Sequence, residues 1–374
     1  MLFKNAYVFD KSFKKRPYDL RVKDGKIADL ATWGALEAED GEEVLDLSGK
    51  TITPGLIDQH THGALGRDTM DANPESLEII SRHLASNGVT AFCPTTMTMG
   101  VNHLTDVFTH VPKSTSGATI LGFHMEGPYI NVAKKGAQNA DYVRKADPEE
   151  IRKYQKLTNV LLISMAPEVN DNLEFIKEMH DEIVIQVGHC LSSYEDTIAA
   201  MKAGARGLCH GFNAMPPLKH REPGPVIASL VSGNYTEIIA DGLHIHPSVV
   251  KATYKMFGPE RVSLVSDAIK TTGQEDGEYM FGGQPIVLTN GVARVKASNA
   301  LAGGSSNIWQ EVKNCYSWGI DLGDALRMGS LTPAEYLGLD KHKGSIEEGK
   351  DADLVITNDD LDILDVYVEG EKFQ

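Results

Sequence analysis

Short apolar runs punctuate the chain at fairly even intervals, and between them the apolar spacing lengthens to the helical period. The runs cover residues 51–57, 89–92, 119–123, 160–163, 183–187, 206–208, 237–240 and 261–265. Most are β-branched and lack strict alternation, the pattern of strands buried on both faces. Residues 74–80 leading to Leu84, and residues 173–179, instead carry apolar side chains at helical spacing. Eight such strand and helix alternations predict an α/β fold, a (β/α)8 TIM-type barrel.

Length adds a second unit. At 374 residues the chain exceeds the barrel's usual length of about 250. Residues 1–50 and 340–374 hold short alternating strands with glycine turns, among them the hairpin signal Asp24-Gly25. They predict a small β-sandwich domain built from both termini, with a catalytic barrel at 51–339 inserted between them. Residues 279–296 read as a hairpin turning at Asn290-Gly291, placed as an insertion after the eighth strand. No repeat, low-complexity tract or flexible linker stands out.

Charge and composition narrow the partners. A formal charge of −16 argues against nucleic acid or an anionic membrane, and requires that an anionic ligand be held by a locally basic pocket. The N-terminal stretch lacks a signal-peptide pattern and nowhere do about 18 apolar residues run together, so a soluble cytoplasmic protein is expected. Cys93, Cys190, Cys209 and Cys315 are too few and too scattered for a disulfide framework. Cys190 and Cys209 adjoin candidate ligands, but strand neighbours point to opposite sides, so both read as small buried hydrophobes.

Candidate chemistry sits just after the apolar runs. Barrel strands deliver side chains to one mouth from their C-terminal ends, where chemistry on this fold is found. His60 and His62, at i and i+2, share a face there and can hold one metal ion. Alone, such a pair more often marks satisfied core or surface histidines; further ligand types at equivalent strand ends reverse that reading. Glu126 precedes the Gly127-Pro128 turn, which fixes its carboxylate at the rim. A buried glutamate is costly unless paired or bound to metal. His189 and His210 complete a Glu plus two His set with an open coordination position, as a catalytic site requires. Asp267 ends the eighth run and can serve as general base, although aspartate also suits a helix N-cap.

Longer motifs carry a family resemblance. Gly122-Phe123-His124-Met125-Glu126-Gly127-Pro128, Gly188-His189, His210-Gly211-Phe212-Asn213-Ala214-Met215-Pro216, Arg221-Glu222-Pro223-Gly224, Asp241-Gly242-Leu243-His244 and Leu301-Ala302-Gly303 resemble those of the N-acetylglucosamine-6-phosphate deacetylases, within the amidohydrolase superfamily. The resemblance implies hydrolysis of the acetamido group of N-acetylglucosamine 6-phosphate to glucosamine 6-phosphate and acetate, in amino-sugar catabolism and cell-wall recycling. It implies a divalent metal held by Glu126, His189 and His210, with Asp267 taking a proton from the attacking water and returning it to the sugar nitrogen. By that resemblance, His60 and His62 leave room for a second metal site with Glu126 bridging, so one or two ions per subunit are expected, with Zn, Fe, Mn or Co all suited to these ligands.

By the same resemblance, the backbone around Asn213 and Ala214, the His244 side chain and Arg221 hold the phosphate, Arg221 reaching across a homodimer. Arginine's rigid fork suits that role. Ala137, Leu301, Ala302 and Gly303 are expected at the sugar, although a plain loop before a helix starting near Ser305 fits the last three equally well. Gln138 stands where family members usually carry a histidine; its amide can donate a hydrogen bond but cannot carry charge. Three alternatives stay open: the N-acetylgalactosamine 6-phosphate epimer, another amide such as a cyclic amide or an N-acyl amino acid, and a non-catalytic scaffold.

Overall fold

The computed structural model describes residues 1–374. Eight parallel strands form its centre: β1 (Leu56–Thr61), β2 (Val89–Thr96), β3 (Phe123–Glu126), β4 (Val160–Met165), β5 (Val184–Val187), β6 (Gly207–Leu208), β7 (Tyr235–Ile238) and β8 (Val262–Leu264). Each pairs in parallel with the next. Beyond the end of β8, Asp267 N donates to His60 O at 2.9 Å, and Ala268 O accepts from His62 N at 2.7 Å and Gly63 N at 3.0 Å. The TIM-type barrel therefore closes at its mouth, through residues of the predicted cluster.

Two predicted runs divide in the structure. Run 51–57 is two strands: Thr51–Pro54 pairs with Leu2–Phe9 and Leu354–Thr357, and only Leu56–Thr61 enters the barrel. Gly55 makes the break, because a Cβ there would lie 2.2 Å from Thr90 Oγ1. Run 119–123 also divides. Thr119–Ile120 adds to β2, Gly122 turns the chain at φ +151°, and β3 begins at Phe123, so Glu126 is its last residue. The polar residues Tyr235 and Thr236 hide the true start of β7.

Strands from both ends, Leu2–Phe9 to Thr51–Pro54 and Leu354–Thr357 to Glu371–Lys372, join in one eight-stranded sheet. Asp24 and Gly25, at φ +49° and +74°, turn its hairpin between Lys15–Lys23 and Lys26–Thr32. This sheet has its own core of thirteen buried residues, including Phe3, Leu20, Ile52 and Tyr367. The insertion after β8 is a three-stranded meander rather than a single hairpin: Gly277–Phe281, Gln284–Thr289 and Val292–Val295 turn at Gly282-Gly283 and Asn290-Gly291. The added strand carries Phe281 onto the His62 ring, centroids 5.5 Å apart.

Helices begin where local chemistry caps them. Asn73 accepts from Glu75 N ahead of Pro74–Ser86, with proline in the first turn where its missing N–H costs nothing. Ser193 and Asp196 form a capping box on Tyr194–Lys202. The helix expected near Ser305 starts at Ile308, capped by Asn307. No helix is long and apolar enough to cross a membrane. All four cysteines are free and buried.

Candidate active site

Six side chains converge at the barrel mouth. Glu126 Oε1 lies 3.0 Å from both His189 Nε2 and His210 Nε2, and 3.5 Å from His60 Nε2. His62 Nε2 stands 3.3 Å from Glu126 Oε2 and 3.3 Å from Asp267 Oδ1; the same Asp267 oxygen is 3.5 Å from His60 Nε2. The predicted cluster is thus assembled in two triads, Glu126-His189-His210 and His60-His62-Asp267, joined by the Glu126 carboxylate.

The opposite ring nitrogens show how the imidazoles are aimed. His62 Nδ1 lies 3.1 Å from Thr95 O, His189 Nδ1 2.8 Å from Lys134 O, and His60 Nδ1 3.2 Å from Glu237 Oε2. Carbonyls and carboxylates only accept, so Nδ1 carries the proton in all three rings. Nε2 is left facing the centre each time, the arrangement in which histidine binds a metal. His60 Nε2 is buried without a hydrogen-bond partner, and the Nε2 atoms of His189 and His210 face each other at 3.1 Å. Two mutually facing imidazole nitrogens beside a carboxylate form a donor set that fits a divalent cation.

Several of these residues hold unusual backbone conformations. His189, His210 and Asp267 have φ of +47°, +28° and +47°, in the left-handed region that non-glycine residues seldom adopt. Such strain costs about 1–3 kcal/mol per residue and persists only where surrounding contacts fix it. Here Asn131 N donates to His189 O at 2.9 Å, Glu237 accepts from His210 N at 2.9 Å, and Asp267 N is bound in the barrel seam. Gly127 is needed beside Glu126 because a Cβ would meet Thr98 Oγ1 at 2.2 Å.

Charge is balanced inside the cluster. Burial alone would raise the Glu126 carboxyl, but His189, His210 and His60 around it hold it well below the usual carboxylate range. Burial likewise opposes ionisation of Asp267, and His60 and His62 outweigh it. Asp267 is therefore an anion that can accept a proton. Burial disfavours a charged His62, yet Asp267 and Glu126 push it up to about 9.

A cavity of about 400 Å³ opens over the cluster. Ala137, Gln138, Asn213, Ala214, His244, Leu301 and Gly303 line it, as do His62, Glu126, His189, His210 and Asp267; His60 lies fully buried beneath. Ala302 is also buried, its amide bound to Ala293 O at 3.0 Å, and does not line the cavity. Arg221 does not line it either. It is exposed on a rim loop, with Nη1 beside His220 Nε2 at 2.5 Å. His244 Nδ1 is held by Asp241 Oδ2 at 2.7 Å. Gln138 Oε1 accepts from Thr98 N at 2.6 Å, which turns its amide nitrogen onto Glu126 Oε2. Both ends of that amide are engaged within the chain.

Three features escaped the sequence pattern. Lys134 is the only lysine or arginine lining the cavity, and no motif or periodicity in its loop singles it out. Glu237 reads as part of an apolar run but supports His60 and His210. Cys209, expected to point away, has Sγ 3.7 Å from His60 Nδ1 and 4.0 Å from Glu126 Oε1. The two-residue strand β6 ends at Leu208, so strand alternation no longer governs Cys209.

Metal uptake is expected to release protons. A folded-state value near 9 for His62, against an ordinary 6.5, gives the metal-free protein stability that is full below about 6.5 and lost as pH rises through about 9. A cation must displace that proton, so apparent affinity should rise with pH up to about 9 and level off above it. Calorimetric titration at pH 7.5 in buffers of different ionisation enthalpy should show net proton release; proton-neutral uptake would refute the charge assignment.

Comparison with known proteins agrees with this geometry. The chain matches the amidohydrolase family over residues 51–372. It is 36% identical to an N-acetylglucosamine-6-phosphate deacetylase of Vibrio furnissii, over 91% of this chain and 88% of that protein. It is 32% identical to an N-acetylgalactosamine-6-phosphate deacetylase of Escherichia coli O157:H7, over 95% and 94%. The solved N-acetyl-D-glucosamine-6-phosphate deacetylase of Mycobacterium smegmatis, in complex with N-acetyl-D-glucosamine-6-phosphate, superposes with a TM-score of 0.91 at 29% identity, covering 100% of this chain and 99% of that one. With these motifs on this barrel, the chain belongs to the amidohydrolase family and, within it, to the N-acetylglucosamine-6-phosphate deacetylases.

Proposed function

We propose that the protein is a metal-dependent hydrolase that removes the acetyl group of N-acetylglucosamine 6-phosphate, giving glucosamine 6-phosphate and acetate. The observation that carries this reading is the convergence of four imidazole Nε2 atoms on Glu126, three of them with Nδ1 fixed as a donor. Glu126, His189 and His210 would hold one divalent ion, and His60, His62 and Asp267 a second, with Glu126 shared. Zn, Fe, Mn and Co all suit the set. A bound ion supplies Lewis acidity, lowering the pKa of water and polarising an amide carbonyl.

The chain's own groups do the rest. Asp267 accepts the proton that the attacking water loses as its oxygen bonds to the acetyl carbon. The C–N bond then breaks and Asp267 returns that proton to the departing nitrogen. Asn213, Ala214 and His244 face the cavity from β6 and β7 loops, and are read as the phosphate end; Asp241 fixes the His244 ring so that Nε2 is free. Ala137, Leu301 and Gly303 are read as sugar contacts, with Ala302 packing beneath them. We assign Arg221 to the phosphate of a neighbouring subunit in a homodimer, because in its own chain it does not line the cavity. The setting is read as cytoplasmic amino-sugar catabolism. The sheet of the two termini is read as a small β-sandwich domain, its boundary moved from residue 50 to Gly55.

The galactosamine epimer is the second reading, favoured by the E. coli relative. Acetate release from each phosphorylated epimer and from the unphosphorylated sugar, after chelation and after metal restoration, separates the readings. Metal-restored release that needs the phosphate supports the proposal; none from any of these sugars would overturn it. Asp267→Asn, which keeps the shape but loses the base, should lower kcat by about 10²- to 10⁴-fold. Lys134→Met should raise KM for the phosphorylated sugar with little change in kcat, as loss of a charge acting on bound substrate and transition state alike. Gln138→His should preserve or raise turnover, since an imidazole can also donate to Glu126; a collapse would show that both ends of the amide are required.

A further inference from the structure

Glu237, the third residue of β7, is fully buried and does not line the cavity, yet its carboxylate reaches both halves of the cluster. Oε1 accepts from Gln59 Nε2 at 2.7 Å. Oε2 lies 3.2 Å from His60 Nδ1 and accepts from the His210 backbone N–H at 2.9 Å. The carbonyl oxygen of Glu237 also accepts from Gly211 N at 2.8 Å. Glycine is required there, because a Cβ on Gly211 would sit 2.5 Å from Thr236 Oγ1 and 3.0 Å from Glu237 O.

A carboxylate buried on a barrel strand is costly unless its lone pairs are filled. Three N–H groups fill them here, and no Lys or Arg takes part; His60 is its single ion-pairing partner within 4.0 Å. The arrangement has a directional consequence. Because Oε2 can only accept, His60 carries its proton on Nδ1, and its partnerless Nε2 is turned toward Asp267 and Glu126. The same oxygen pins the His210 amide at φ +28°, so one atom holds a ligand of each triad in place.

We propose that Glu237 is the positioning residue for a second divalent ion in this chain, held by His60, His62 and Asp267, and that it couples that ion's site to the one at Glu126, His189 and His210. The inference rests on the metal-hydrolase reading above. Gln59 sharpens it: Gln59 Oε1 is buried and unpaired, so its amide can reverse and accept a bond. A glutamine at 237 can therefore keep an oxygen on His60 and present its NH2 to a reversed Gln59. A methionine of similar length can do neither.

The test is stepwise Zn²⁺ affinity of the full-length protein, measured by competition with a chromophoric chelator. Wild type should bind two ions per chain. Glu237→Met should weaken the second about 10- to 100-fold and the first to a smaller extent, through the lost bond to the His210 amide, and Glu237→Gln should recover most of the loss. In Zn²⁺-loaded wild type the His60 Nδ1–H should appear as a hydrogen-bonded, slowly exchanging proton resonance. It should persist in Glu237→Gln and vanish in Glu237→Met.

Equal weakening of both ions, or of neither, would overturn the proposal. Absence of the His60 resonance from wild type would overturn it even if the methionine variant fails to fold. A wild type that binds one ion, lost in Glu126→Gln, would sink this inference and leave the hydrolase reading standing. A protein that binds no ion and releases no acetate would remove both.

Discussion

The hydrogen bond from Asp267 N to His60 O, with its neighbours at Ala268 O, closes the barrel where the chemistry is gathered. No ladder joins β8 to β1 lower down, and the only bridge between them pairs Thr61 with Ala268 at the rim. Forming the seam and assembling the His60-His62-Asp267 triad are therefore one event. Gly304 reinforces it, donating to Asp267 O at 2.6 Å from the segment that follows the meander. A Cβ on Gly304 would meet Ser266 O at 2.1 Å, so that approach requires glycine. Distant parts of the chain are thus drawn to one point by backbone bonds, before any side chain chooses a ligand.

Electrostatics makes the same point unforgiving. Burying one carboxylate and truncating its partners would leave an uncompensated charge, a loss of about 3–5 kcal/mol for a buried pair. Glu126 meets four imidazoles and the Gln138 amide, so no single partner carries the whole compensation. A second layer holds the first. Glu237, Thr95 and Lys134 bind the outer nitrogens of three rings, and Asp58 ties β1 to Ser266 across the seam. The polar interior is a connected network, which is what allows charged groups to sit in a barrel core.

The barrel and most of the site were legible because both depend on periodicity. Strands covered on both faces leave unbroken apolar runs, and residues just past their ends meet at the barrel mouth, so the convergence of His60, His62, Glu126, His189, His210 and Asp267 was legible from register. What hid was set by contacts without a period. Gly55 and Gly122 split apparently single strands because the chain passes close to Thr90 and Asn159. The first strand of the meander, Gly277–Phe281, joins through a second turn at Gly282-Gly283 that the Asn290-Gly291 signal did not reveal. Glu237 looked like a polar start to an apolar run, since nothing near it in sequence reveals that Gln59, His60 and His210 arrive from other strands.

Three cluster residues in left-handed conformation explain how side chains from separate strands meet at one height. A strand that simply continued would alternate its side chains inward and outward, and its next inward position would lie a further rise of roughly 6–7 Å along. Turning sharply at His189, His210 and Asp267 instead stops each strand at the height of the Glu126 carboxylate. Glycine could take the same turn at lower cost but would bring no side chain to the cluster. The strain is tolerated where the side chain is needed, and the backbone bonds to Asn131, Glu237 and His60 hold it there. Local strain at these strand ends is thus the geometric means by which separate strands present their donors at one level.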